Sequence, residues 1–197
     1  MKIIRFFSQA IIITIVFLCF SCGGKLNSSF FINQDIDFSY IKKVAVLPFD
    51  NLSNDRFAGE TIRQIVTSEL LNSGLVDVAY PGDVNSIIES LKIKPAHSPN
   101  SEQIKSIGNA LKVQAVILGT VNKCGEIREG NISSYEVSLS LMMADVSSGS
   151  IIWSVTRNST GANIWAKYFG AKSDTMSETI IKVVRDSIKT LYEYEKR

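Results

Sequence analysis

The order of apolar periodicities predicts an α/β domain with a mixed sheet, running β-α-β-α-α-β-β-β-α, parallel in its first half and finished by an antiparallel meander, with helices covering the sheet. Three observations carry this. Val44 to Leu47 form an unbroken apolar run closed by Pro48, the pattern of a strand buried on both faces that ends in a loop. Tyr135, Val137, Leu139, Leu141 and Met143 alternate with Glu136, Ser138, Ser140 and Met142, the pattern of a strand with one wetter face. Stripes of apolar residues at helical spacing fall between and after these runs, opened by capping patterns and closed by Gly or Pro.

After the first strand comes the loop Phe49-Asp-Asn-Leu-Ser-Asn-Asp55, then a helix over Gly59 to Asn72. Ile62, Ile65, Val66 and Leu70 form its inner stripe, Glu60, Arg63, Gln64 and Ser68 its outer face, and Gly74 its stop. Leu75 to Tyr80 read as a short second strand. Asp83 is placed to cap a second helix striped by Val84, Ile87, Ile88 and Leu91. Asn100 stands three before Gln103, a capping box that opens a third helix through Ile104, Ile107 and Leu111. Val113 to Val121 make the next buried strand. Gly149 supplies the positive φ for the hairpin turn after Asp145, and Ile151 to Val155 return as the last strand. Asn158 to Asp174 read as a polar and aromatic loop. Thr175 and Glu178 form a second capping box, opening a final helix with Ile180, Ile181, Val184, Ile188 and Leu191 inward.

The N-terminus has a different character. Lys2 and Arg5 precede an apolar run from Ala10 to Phe20 broken only by Thr14, then Ser21-Cys22-Gly-Gly24. A basic start, an apolar core short of the about 20 residues of a membrane span and small residues at its end make a secretory signal over residues 1–21. The Cys at the junction resembles the lipobox of bacterial lipoproteins, with Cys19 three places before it. That resemblance implies acylation of Cys22 by diacylglycerol and a third chain such as palmitate, and two or three chains anchor stably. An uncleaved anchor helix is the competing reading. Gly23 after the Cys implies, by the lipoprotein sorting rule, an outer-membrane destination facing the periplasm. Residues 22–40 have no helical or strand period and read as a lipidated terminus and tether; residues 41–197 read as a single domain.

Loss of the signal removes two of the 21 basic residues and none of the 19 acidic ones. The neutral balance left, without a basic run, excludes nucleic acid as an expected partner. Cys124 has no partner for an internal disulfide if Cys22 carries lipid, and reads as a small buried side chain. His97, the one histidine, lies between Pro95 and Pro99 with no metal-ligand spacing around it. No phosphate-binding, nucleophile-elbow or zinc motif occurs, so no metal, cofactor, small-molecule substrate or catalytic residue is expected. Asp50 and Asp55 flank a loop at a strand's carboxyl end, where α/β enzymes place carboxylates, but turn formation explains them more simply. The expected partner-binding set is Trp165, Tyr168 and Phe169, with Arg157 and Lys167 as a polar rim. Loop aromatics of this size either close the end of the core or dominate an interface.

Three segments together carry a family resemblance: Val44-Ala-Val-Leu-Pro-Phe-Asp-Asn-Leu-Ser53, Leu111-Lys-Val-Gln-Ala-Val-Ile-Leu-Gly-Thr-Val121 and Ala144-Asp-Val-Ser-Ser-Gly-Ser-Ile-Ile-Trp-Ser154. They resemble the TolB N-terminal and CsgG-like superfamily of bacterial envelope proteins, which includes the curli secretion channel CsgG and LpoB-type cofactors of peptidoglycan synthases. The resemblance implies a non-enzymatic envelope adaptor or assembly factor acting through protein contacts, with self-association left open. Channel-forming members carry two long membrane hairpins, and here the corresponding stretches are Asn122–Ser134 and Asn158–Asp174. The first is thirteen residues and polar, and the second lacks a long period-two run. An oligomeric outer-membrane secretion component is therefore the alternative to the adaptor.

Overall fold

The computed structural model describes residues 30–93, 98–129, 132–161 and 174–195. Seven strands form one sheet: β1 (Phe30–Ile32), β2 (Lys43–Val46), β3 (Asp50–Asn51), β4 (Asp77–Val78), β5 (Ala115–Glu129), β6 (Ile132–Asp145) and β7 (Ile151–Thr160). Four α-helices accompany them among the described residues: α1 (Ala58–Ser73), α2 (Pro81–Ser90), α3 (Ser101–Leu111) and α4 (Met176–Glu195). The sheet order is β1-β7-β6-β5-β2-β4, with β3 continuing along β5 beyond the end of β2. Pairing is parallel among β2, β4 and β5 and antiparallel from β5 through β6 and β7, the mixed α/β arrangement expected from the sequence.

β2 is buried on both faces for the reason its composition gives. Val44 and Val46 enter a large core with Ile117, Leu139, Leu141, Trp153 and the inner stripes of α1 and α4. Ala45 and Leu47 enter a smaller one with α2, α3, Val116 and Ala144. Trp153 is fully buried, and its indole N–H donates to Thr190 Oγ1 on α4 at 2.9 Å, satisfying the one polar atom that burial would orphan. A bidentate pair, Arg185 to Glu69 at 3.0 and 3.1 Å, joins α4 to α1 at the surface.

Both capping boxes form, with Asn100 and Gln103 bonding reciprocally at 2.9 Å and Thr175 and Glu178 doing the same. Gly74 ends α1 with φ 68° and Gly149 turns the β6–β7 hairpin with φ 73°. Asp83 is not a cap. Tyr80, in extended geometry, precedes Pro81 at the first helical position, whose fixed φ suits it, and Asp83 sits in the first turn.

Four expectations about the strands and the tether change as well. Residues 30–40 are not tether: β1 pairs with β7 through Phe30–Val155, Phe31–Ser154 and Ile32–Trp153, and Ile32, Ile36 and Phe38 pack on the large core. The strand expected over Leu75 to Tyr80 pairs only through Asp77 and Val78. Asn122 to Glu129 is a continuation of β5, because a bulge at Asn122 turns Cys124 inward and Lys123 outward. Asn158 to Thr160 are likewise strand, paired with Ser138 to Glu136.

Candidate functional site

The expected site residues Cys22, Trp165, Tyr168 and Phe169, together with His97, lie outside the described residues. What is described is the base from which residues 162–173 depart. Gly161 N–H donates to Tyr135 O at 2.7 Å, and Asp174 N–H donates to Gly161 O at 3.1 Å, so the segment leaves and re-enters the fold at one point. A Cβ on Gly161 would lie 3.0 Å from both Asp174 O and Thr179 Oγ1. That close approach suits glycine, and the Thr175–Glu178 box fixes the other side of the neck. Arg157 is half-buried opposite Leu139, with Nε buried and without a hydrogen-bond partner.

The loop after β2 holds the carboxylates weighed from sequence. Asn51 braces it, with Nδ2 donating to Asp55 O at 2.7 Å and Oδ1 accepting from Ser53 N–H and Oγ at 3.0 and 2.7 Å. Asp55 accepts from Phe57 N–H at 2.9 Å, a turn-making role. Asp50 is instead a paired residue of β3, opposite Thr120. The Phe49 ring lies flat over Gly119, where no Cβ fits. At the outer side Leu52 and Phe57 are exposed, and the Arg56 guanidinium stands 4.5 Å from the Phe57 ring centre.

Beside this loop is a cleft of about 110 Å³ lined by Pro48, Asp50, Pro99, Leu118, Met142 and Ile151. It falls below the roughly 300–1,000 Å³ of a small-molecule site. A second hollow of about 330 Å³ runs along Leu52, Asn54, Cys124 and Glu136 and is shallow and polar. Burial pushes the Cys124 thiol pKa up, with Asp55 adding to it, so the sulfur is kept protonated and inert. Among the described residues no group of three or more His, Cys, Asp or Glu is placed to hold a metal ion, and no helix is long and apolar enough to cross a membrane.

The cleft opens onto a feature the sequence reading missed. α2 and α3 cover the second face of the sheet only over β4, β2 and the first part of β5. Beyond them no described helix covers the face, with Thr120, Ser140, Met142, Ser154 and Thr156 outward, and Asn122 Nδ2, Ser140 Oγ and Thr156 Oγ1 linked at 2.9 and 3.0 Å. Its signal was present in the small polar residues at alternate positions of three neighbouring strands. A second network ties residues 38–40 to the β6–β7 turn. Asp145 accepts from Tyr40 OH at 2.7 Å, Ser147 Oγ at 2.6 Å and Ser148 N–H and Oγ at 2.8 and 2.7 Å. Burial alone would push the Asp145 carboxyl up; these donors outweigh it and hold it well below the usual carboxylate range, while burial and the bond to Asp145 raise the Tyr40 phenol. The geometry of the described residues offers surfaces for contact.

Comparison with known proteins places this fold. The family model described as peptidoglycan-synthase activator LpoB matches residues 31–158. No curated protein matches the sequence. Among solved structures, the PelC dodecamer of Paraburkholderia phytofirmans is 17% identical with a TM-score of 0.57, covering 82% of this chain and 96% of that one. Lipoprotein GNA1162 of Neisseria meningitidis is 17% identical with a TM-score of 0.55, covering 77% and 99%. The hypothetical protein CT253 of Chlamydia trachomatis is 15% identical with a TM-score of 0.50, covering 79% and 98%. At these identities the likeness is one of fold.

Proposed function

The chain belongs to the LpoB family of peptidoglycan-synthase activators, and from that premise we propose that it is a lipid-anchored, periplasm-facing adaptor that stimulates a peptidoglycan synthase by direct contact. The observation that carries this is the family match over residues 31–158, which begins inside β1 and ends in β7 and so takes in the whole sheet. The chain's part in this reading is binding, as the family's description as a synthase activator supports. Cys22 is the lipid site that fixes it to the outer membrane. Trp165, Tyr168 and Phe169 are the partner-binding residues, carried by the segment between Gly161 and Asp174, whose ends meet in one hydrogen bond.

The test uses the full lipidated chain with peptidoglycan synthases of the same bacterium. Synthase activity should rise when the chain is added, and Trp165→Ala should abolish both the rise and the pull-down while leaving the melting midpoint in place. A fall of many degrees in that midpoint makes Trp165 a core residue and removes it from the site. Cys22→Ser should lose palmitate label; a variant that still takes up label refutes the lipid site. The alternative, an oligomeric secretion component as in the CsgG-like proteins, gains weight from the dodecameric assembly of PelC. Negative-stain imaging of detergent-extracted protein separates the two, since a ring with a central channel is the mark of the second.

A further inference from the structure

The inclusion of residues 30–40 in the domain changes the geometry at the membrane. With Cys22 as the anchor, only residues 23–29 stand between it and the first residue of β1. Eight Cα-to-Cα steps separate Cys22 from Phe30, and whatever shape they take they span at most about 29 Å. The 15-residue β5 alone is about 50 Å long at the ordinary rise of a strand. The domain is therefore held within less than its own length of the bilayer, and the part tied closest is the β1 edge.

That edge has the chemistry of a membrane contact. Phe30 and Phe31 are 50% and 53% exposed. As neighbours on a strand they project to opposite faces of the sheet, so a surface approaching edge-on meets both rings. Phe31 also begins a cross-strand row on the second face, through Ser154 to Met142 and then Leu118. Neither β1 nor β7 carries an Asp or Glu that would repel an anionic lipid surface. The outer side of β1 is unpaired among the described strands.

We infer that the β1 edge, with Phe30 and Phe31 inserted at headgroup level, rests on the bilayer that holds Cys22, and so sets which faces of the domain are turned to the periplasm. This rests on the lipid-anchor reading. A second copy pairing along β1 is the competing occupant; the lipid is favoured because the seven-residue connection brings it to this edge in every copy, whether or not another chain is near.

The experiment uses the full-length lipidated chain in vesicles of phosphatidylethanolamine and phosphatidylglycerol doped with 5-doxyl lipid. Phe31→Cys and Tyr80→Cys, each with Cys124→Ala, are labelled with bimane; Tyr80 is 77% exposed and follows β4 at the far edge of the sheet. The doxyl lipid should quench the label at residue 31 at least threefold more than the label at residue 80. Phe30→Cys replaces Phe31→Cys if the latter shifts the melting midpoint. Equal quenching at the two positions, with the wild-type chain floating with the vesicles and Cys22→Ser failing to float, overturns the contact while leaving the anchor intact. Flotation that is the same with and without Cys22 overturns both. Weak quenching with cross-linking between copies at residue 31 overturns it in favour of strand pairing.

Discussion

Replacing Gly119 by Ala should force the Phe49 ring from its seat, and the structure sets how much that costs. The added Cβ would lie 2.6 Å from Phe49 Cδ1 and Cε1 and 2.7 Å from Cγ, about 1 Å inside ordinary carbon–carbon contact. Overpacking of this kind costs about 1–3 kcal/mol. Phe49 is half-buried at the margin of the large core, so a loss in the middle of that range, about 1.5 kcal/mol, is expected. With the ring already gone, the sign reverses. In a Phe49→Ala background the new methyl meets no ring, and Ala is favoured over Gly in a strand by about 0.5–1 kcal/mol through backbone entropy. The two backgrounds therefore differ by about 2 kcal/mol. Urea unfolding of the four variants, followed by far-ultraviolet circular dichroism, reads this as a coupling energy provided the slopes agree. A coupling below about 0.5 kcal/mol, the ordinary scatter of additive pairs, would refute the claim that Phe49 fixes the loop to the sheet through Gly119.

Val46→Asp should leave the domain unfolded at 25 °C by circular dichroism, because Val46 is buried and an unpaired charge there costs several kcal/mol of the roughly 5–15 available; a cooperative melt near that of wild type would remove β2 from the core. Asp145→Asn should cost about 2–3 kcal/mol in urea unfolding, since four bonds to the carboxylate are weakened or lost together. The Asp145 carboxyl is held below its unfolded value, so its contribution is full above the unfolded pKa of about 3.9 and fades as pH falls below it; the acid limb of stability against pH should be shallower in Asp145→Asn, and an unchanged limb contradicts the assignment. Tyr40 has the opposite sign: its raised phenol lends stability below about pH 10 that is lost only above it, so Tyr40→Phe should flatten the alkaline limb. Arg63→Met should cost about 1–3 kcal/mol by thermal melting, for the thioether fills the space but makes none of the bonds to Val46, Glu60 and Asn85; a neutral result would assign the site to packing alone.

The element order was legible because each element announces itself locally. Val44 to Leu47 has no polar residue to place on a wet face, β6 alternates without interruption from Tyr135 to Met143, and two capping boxes mark helix starts by side-chain chemistry that needs no tertiary partner. What was not legible depends on partners far away in sequence. Phe30 to Ile32 has too few residues to show a period, and is a strand only because β7 presents an edge to it. Asn122 to Glu129 read as a short polar stretch, and the bulge at Asn122, which slips the phase by one residue, hides its continuity with the strand before it. Arg63, placed by its charge on the outer face of α1, is 2% exposed; a guanidinium is buried when carbonyl and amide acceptors converge on it, and those come from β2 and α2. Of the site, the sequence pointed to loop aromatics but not to the second sheet face, whose small polar residues look unremarkable until three strands set them side by side.

Arg63 has a consequence for how far the sheet can extend. On the β4 side of β2 the carbonyls of Lys42 and Val44 accept from Asp77 and Ala79, and the next in that row, Val46 O, accepts from Arg63 Nε at 3.1 Å. A guanidinium thus takes the place of a strand just where β4 turns into α2. An intruding chain that tried to lengthen the ladder would have to displace a charge that Glu60 and Asn85 also hold. The β2 ladder is closed there by an end-stop against unwanted strand addition, while at the opposite margin no described strand pairs with the outer side of Phe30 to Ile32.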